Sequence, residues 1–279
     1  MGRMAKMGTV WDRTAEFLSD NLPAVVPVAL LAFFVPASIS GSFQPILQGA
    51  DYGLALTLSL LQLAFGVLSV WGSLAITAMA LELGGTQTPG AIARNRLIPA
   101  LIVTVALFAV MLVACLPVPI LLQASGYDMM AVARGEVTLS RNLWGGILAY
   151  LAVLGLLLLW LTARLLLINP VIVRERRMFG ALARSWQLTR GSTLRIVGVI
   201  LLYTMVSLVA VLAFKTVFGS IFALIEGGPA DGLSLAGVLT SIVAATVQTG
   251  FTVLIPAFTA KLYLALAAEA GLRDGVVTA

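Results

Sequence analysis

RLLLINPVIVRERRMFGALARSWQLTRGSTLR, residues 164–195, decides how this chain folds. Arginines stand at 164, 174, 176, 177, 184, 190 and 195 against the single acid Glu175, out of 17 basic residues in the whole sequence. Long apolar runs lie before and after it. Basic residues between apolar runs set which side of a bilayer they face. The stretch therefore reads as the exit of one membrane span, an interfacial segment, and the entry to the next.

Composition supports that reading. Of 279 residues, 60% are hydrophobic and 10% charged, and the mean hydropathy is +1.05. A soluble domain of this size needs more charge to cover its surface. The expected fold is all-α: one integral membrane domain over residues 1–279, with six transmembrane helices and interfacial amphipathic helices. The first twenty residues mix Arg3, Lys6, Asp12, Arg13, Glu16 and Asp20 and lack a cleavable signal pattern, so the first span is expected to act as an uncleaved anchor. The single cysteine, Cys115, excludes an intrachain disulfide and reads as a packing residue. No histidine is present, which removes the commonest general base and metal ligand. No catalytic residue, metal site or cofactor is expected.

In chain order, residues 8–21 form an amphipathic helix with Val10, Trp11, Thr14, Phe17 and Leu18 on one side and Asp12, Arg13, Glu16 and Asp20 on the other. Span one is expected at 22–39, bent or delayed by Pro23, Pro27 and Pro36, and followed by a loop at 40–51. Span two, 54–81, carries a small and polar stripe: Gln62, Gly66, Ser69, Ser73 and Thr77. Such a stripe meets protein or water in place of lipid. Thr88-Pro89 reads as an N-cap and first-turn pair opening a short helix, GAIARNR, ahead of span three at 97–122.

Span four is expected at 143–173, with Arg164 inside its apolar run. A second amphipathic segment follows at 176–190, with Met178, Phe179, Leu182 and Trp186 on one face. Span five is expected at 196–218 and span six at 235–268. Span six has its own stripe: Gly237, Ser241, Ala244, Gln248, Thr252 and Thr259.

With both termini on one side, that side collects fourteen basic residues and the other only Arg134, Arg141 and Lys215. The termini are thus expected to be cytoplasmic. A repeat also shows. GAIAR at 90–94 and GALAR at 180–184 both precede odd-numbered spans, and Thr77-Ala78, Thr162-Ala163 and Thr259-Ala260 stand near the ends of spans two, four and six. The chain reads as three units, 8–85, 86–175 and 176–268, each an interfacial helix followed by a hairpin of two spans.

Residues 164–191 resemble the signature of the membrane domain associated with some bacterial glycerophosphodiester phosphodiesterases and the related YciC-like inner-membrane proteins. The likeness lies in Arg164-Leu165, Pro170 with Val171 to Val173, Glu175, Ala181-Leu182, Arg184-Ser185-Trp186, Leu188-Thr189 and Gly191. It implies a multi-pass protein of the bacterial cytoplasmic membrane. In fused members catalysis belongs to a separate soluble barrel, which this sequence lacks, so the enzymatic activity does not follow.

The acids lie mostly in loops or at span ends, with no carboxylate pair expected at membrane depth, and glycine pairs such as Gly84-Gly85 suit turns. The expected function is non-enzymatic handling or binding of membrane phospholipid. The alternative is a scaffold or accessory subunit of a membrane protein complex. Arg164, Lys261, Arg174, Arg177 and Arg184 are candidates for lipid phosphate, including anionic lipid at the cytoplasmic face. Gln62 and Gln248 are candidates for a headgroup groove, although interhelical hydrogen bonding is their plainer role. Snorkelling is likewise the plainer role of Arg164 and Lys261. Nucleic acid is not an expected partner despite a pI near 9.8, because the charge sits against the membrane.

Overall fold

The computed structural model describes residues 7–47, 51–83, 87–128, 131–132, 134, 137–175, 178–226 and 235–277. Among these the secondary structure is helical, without strands, and six helical stretches are long and apolar enough to cross a membrane. The protein is an all-α, polytopic membrane protein.

Helix α1 (Met7–Asp20) packs Val10, Thr14 and Phe17 inward, as its periodicity requires. Span one follows as α2 (Leu22–Ala29), a π-helical turn (Leu30–Phe34) and α3 (Val35–Leu47). Span two is α4 (Tyr52–Ala80), span three α5 (Pro89–Cys115) with α6 (Pro117–Ala124), and span four α7 (Arg141–Leu165) with α8 (Ile168–Glu175). Helix α9 (Gly180–Thr189) leads to span five, α10 (Thr193–Glu226), and span six, α11 (Leu235–Val277).

Proline chemistry explains the interruptions. Pro36 has no N–H for the Ala32 carbonyl four residues back. The helix answers with the π turn, in which the Val35 amide reaches the Leu30 carbonyl, and the Ser69 hydroxyl of α4 donates to the Ala32 carbonyl at 2.9 Å. The two helices meet closely there. A Cβ placed on Gly72 would come within 2.3 Å of the Ala32 Cβ. Pro170 in turn cannot donate to the Leu166 carbonyl, and span four breaks between α7 and α8.

Four expectations are corrected. Residues 40–47 continue span one as helix, which passes through Gly41 and Pro45 to Leu47. GAIARNR is not a separate short helix. Thr88 caps it as expected, its hydroxyl accepting from the Ala91 amide, but α5 then runs unbroken into span three because no glycine or proline divides Ala91 from Leu97. Span four is two helices where one was expected. Among its described residues the second amphipathic segment is helical over Gly180–Thr189, with Met178 and Phe179 ahead of the helix. Gly191, at φ +103, separates it from α10.

The core gathers at the end of the bundle that carries α1 and α9. Leu74, Ile76, Leu167, Ile172, Ile196 and Leu262 are fully buried there, with Val10 and Phe17 of α1. At the other end, Leu60, Leu63, Phe108, Leu148, Leu208 and Leu224 are exposed. Tyrosines tie the looser half: Tyr150 donates to the Ala114 carbonyl and Tyr203 to the Phe251 carbonyl. The alanines of the three Thr-Ala pairs, Ala78, Ala163 and Ala260, are all buried at the tight end.

Candidate functional site

The break in span four leaves backbone groups that need partners. Ser185 of α9 supplies them: its hydroxyl donates to the Arg164 carbonyl at 2.7 Å and accepts from the Leu167 amide at 3.3 Å. Thr189, one turn on, donates to the Ser185 carbonyl at 2.9 Å, with the Arg164 carbonyl a longer alternative acceptor at 3.3 Å. Both side chains are fully buried. The serine and threonine of the Arg-Ser-Trp-x-Leu-Thr string therefore cap a broken membrane helix.

Trp186 serves the Arg164 side chain. The guanidinium lies 5.0 Å from the Trp186 ring centroid and 5.3 Å from that of Trp160, and the indoles meet edge to face. Its Nη1 donates to the Trp186 carbonyl at 3.4 Å, while Nε is buried without a partner among the described residues. Stacking on two π faces offsets part of the desolvation of this cation.

Lys261 is bound differently. Its ammonium donates to Glu82 at 2.8 Å and lies 5.2 Å from the Phe17 ring, with the residue 8% exposed. Glu82 takes φ +54 just past the end of α4. The Lys261 hydrogen bond, aided by its charge, holds the Glu82 carboxyl below its ordinary pKa. A polar cavity of about 440 Å³ adjoins the pair, lined also by Arg13, Glu16 and Asp20.

Arg184 Nε pairs with Glu175 at 3.2 Å, and the Tyr263 hydroxyl donates to the same carboxylate oxygen at 3.0 Å. These contacts join α8, α9 and α11. Arg174 is exposed beside them. Arg177 lies outside the described residues.

An apolar cavity of about 440 Å³ opens between spans two, three, four and six. Leu107, Met111, Leu154 and Leu158 line its length, and Ser73, Thr162, Asn169 and Thr259 stand at one end. From Leu154 to Leu165 the wall runs eleven residues, or about 16 Å of helix. The Asn169 amide donates to the Ser73 hydroxyl at 3.3 Å, leaving the second Asn169 amide hydrogen and the Ser73 hydroxyl hydrogen able to donate to a ligand's oxygens. A second apolar cavity, of about 240 Å³, lies between α1 and spans four, five and six.

Comparison with protein-family models, curated proteins and solved structures finds no match. The site is therefore read from its own geometry. Gln62 and Gln248 are exposed and line neither apolar cavity. They are not brought together with Arg164. The stripe of span two divides accordingly: Ser69 bonds span one, Ser73 bonds Asn169, Thr77 bonds its own helix, and Gln62 faces outward.

Asn169 is the cavity residue that sequence reasoning missed. The available signal was a lone amide next to a proline in an otherwise apolar run. Glu82 was missed as the partner of Lys261 because 179 residues separate them and only the fold joins them.

Proposed function

We propose that this chain is a non-enzymatic phospholipid-binding protein of the bacterial cytoplasmic membrane, with both termini cytoplasmic and a place in the family its 164–191 signature resembles. One observation carries the reading: the larger cavity is apolar along its length and polar at one end. That is the division of an amphiphile. Hydrocarbon lies along Leu107, Met111, Leu154 and Leu158, and glycerol or ester oxygens meet Ser73 and Asn169. The volume falls in the range of small-molecule sites.

The basic residues take a narrower part than their charge suggests. Lys261 and Arg184 already hold carboxylates, so Arg164 and Arg174 remain for anionic headgroups at the membrane surface. Arg164 keeps an unpartnered Nε within its indole cage.

Native mass spectrometry with lipidomics on gently purified protein tests this, comparing wild type with Leu158→Trp, Arg164→Ala and Lys261→Ala. Wild type is expected to retain phospholipid enriched over the bulk membrane. Leu158→Trp should lose it with its fold intact, Arg164→Ala should shift the headgroup classes retained, and Lys261→Ala should leave them unchanged. Bulk-like lipid in all four proteins would overturn the reading.

A second reading, an accessory subunit, is favoured by the exposed Met178, Phe179 and Trp186 at the start and on the outer face of α9. It gains ground if lipid retention ignores the cavity while substitution of Phe179 alters assembly in the native membrane.

A further inference from the structure

The two apolar cavities share four lining residues: Thr162 and Leu166 of span four, Ile255 and Thr259 of span six. Each pair is spaced by four, so the seam is one face of each helix, one turn long. Backbone packing does not close it. α7 packs on α9 and α10, and α11 on α10, whereas α7 and α11 approach each other hardly at all. Pro256, beside the seam, has no N–H for the Thr252 carbonyl and weakens α11 at this level. Only side chains part the larger cavity from the smaller.

The smaller cavity is lined by Val199, Ile200, Tyr203 and Leu254, with Trp11 at its edge, whose ring rests 4.6 Å from that of Phe258. This apolar groove of about 240 Å³ is open on one side, where Thr162, Thr204 and Ile255 are exposed, so a lipid chain can enter it from the bilayer. Two apolar compartments diverge from a seam bearing two threonine hydroxyls, with Ser73 and Asn169 at the same end of the larger one. A single chain fills one compartment. A glycerolipid with two acyl chains fills both.

We infer that the ligand is a diacyl glycerophospholipid straddling the seam of Thr162, Leu166, Ile255 and Thr259, with one acyl chain in each cavity, an assignment that rests on the phospholipid reading above. The glycerol lies over the seam, where the Ser73 hydroxyl and the free hydrogen of the Asn169 amide donate to its ester oxygens, the Thr162 and Thr259 hydroxyls being already given to the Leu158 and Pro256 carbonyls. The larger cavity takes one chain along spans three and four. The smaller takes the upper part of the other, between spans five and six beneath Trp11.

The test uses the full chain in detergent and two probes, dipalmitoyl phosphatidylglycerol and its monopalmitoyl lyso form, titrated by native mass spectrometry. Wild type is expected to prefer the diacyl probe by about tenfold or more. Ile200→Trp, which fills the smaller cavity, should bring the two probes within about twofold of each other while lyso binding persists. Leu158→Trp should abolish binding of both. Val199→Phe fills the same smaller space with less bulk and serves if Ile200→Trp does not fold. A diacyl preference that survives in the smaller-cavity variant overturns the two-compartment assignment and leaves the phospholipid reading standing. Failure of wild type to bind either probe overturns both.

Discussion

Ser185 and the Arg164 carbonyl, 2.7 Å apart across the α7–α9 contact, form the joint that lets a membrane helix break without exposing its backbone. In hydrocarbon an unpaired carbonyl or amide costs several kcal/mol, so a break at this depth requires a partner from another element. Ser185 answers two such groups at once, since the Leu167 amide donates to the same oxygen.

Ser185→Ala is therefore expected to destabilise the protein by roughly 1–3 kcal/mol, the cost of leaving a buried backbone group unmade. The Leu167 amide loses its hydroxyl partner outright, and the Arg164 carbonyl is left with the longer contact to Thr189, whose hydroxyl also reaches the Ser185 carbonyl. Thermal unfolding in detergent should show a lowered midpoint. An unchanged midpoint would mean that Ser185 does not serve as this cap.

How much was legible follows from which forces act locally. The six spans were readable because apolar runs long enough to cross a bilayer leave little choice of fold. The amphipathic face of α1 and the Thr88 cap were also readable, being matters of periodicity and of one side chain reaching three residues on. The break after Leu165 was not read, although Pro170 was in view. A proline four residues downstream frees a carbonyl, yet whether the helix bends or stops depends on Ser185 being at hand, and that is a tertiary fact. The candidate site divides the same way. Arg164 and Lys261 stood out as charges in apolar runs, but their partners, Trp186 and Glu82, come from other elements. Helical spacing makes Gln62 and Gln248 candidates for a groove, with interhelical hydrogen bonding as their plainer role. That spacing says which residues share a face, but not which part of the face a neighbouring helix covers, and both glutamines are left exposed.

Gly72 tests the close approach of spans one and two. Gly72→Ala puts a methyl group 2.3 Å from the Ala32 Cβ, so the helices must part or shift, at a cost of about 1–3 kcal/mol. Ala32→Gly should be milder, and the double substitution should recover much of the loss, because a glycine on either helix admits the other's methyl group. The double-mutant cycle in unfolding free energy is the readout. Strict additivity would refute the contact.

The Glu82–Lys261 pair carries a pH prediction. Glu82 is held below the ordinary carboxylate pKa by the hydrogen bond from Lys261. A depressed folded-state pKa contributes stability above the unfolded value, about 4.3 for glutamate, and that contribution is lost as pH falls through the lowered one. Wild type should therefore lose more thermal stability on acidification than Glu82→Gln does. At neutral pH the order reverses in origin: Glu82→Gln leaves a buried ammonium without its counter-charge, so it should be less stable than Glu82→Gln with Lys261→Met. Parallel pH profiles for wild type and Glu82→Gln would sink the assignment.

The π turn in span one offers the sharpest cycle. Ser69 donates to the Ala32 carbonyl, the group that Pro36 cannot serve. Ser69→Ala alone is expected to cost roughly 1–3 kcal/mol, since the carbonyl loses its side-chain donor. Pro36→Ala restores an N–H in helical position for that carbonyl and removes the ring that forces the π turn. In the Pro36→Ala background, Ser69→Ala should therefore cost little. The coupling, read from unfolding free energies of the two single variants and the double, is expected to approach the full cost of Ser69→Ala. If Ser69→Ala costs the same in both backgrounds, the serine serves packing, and the proline creates the π turn without its help.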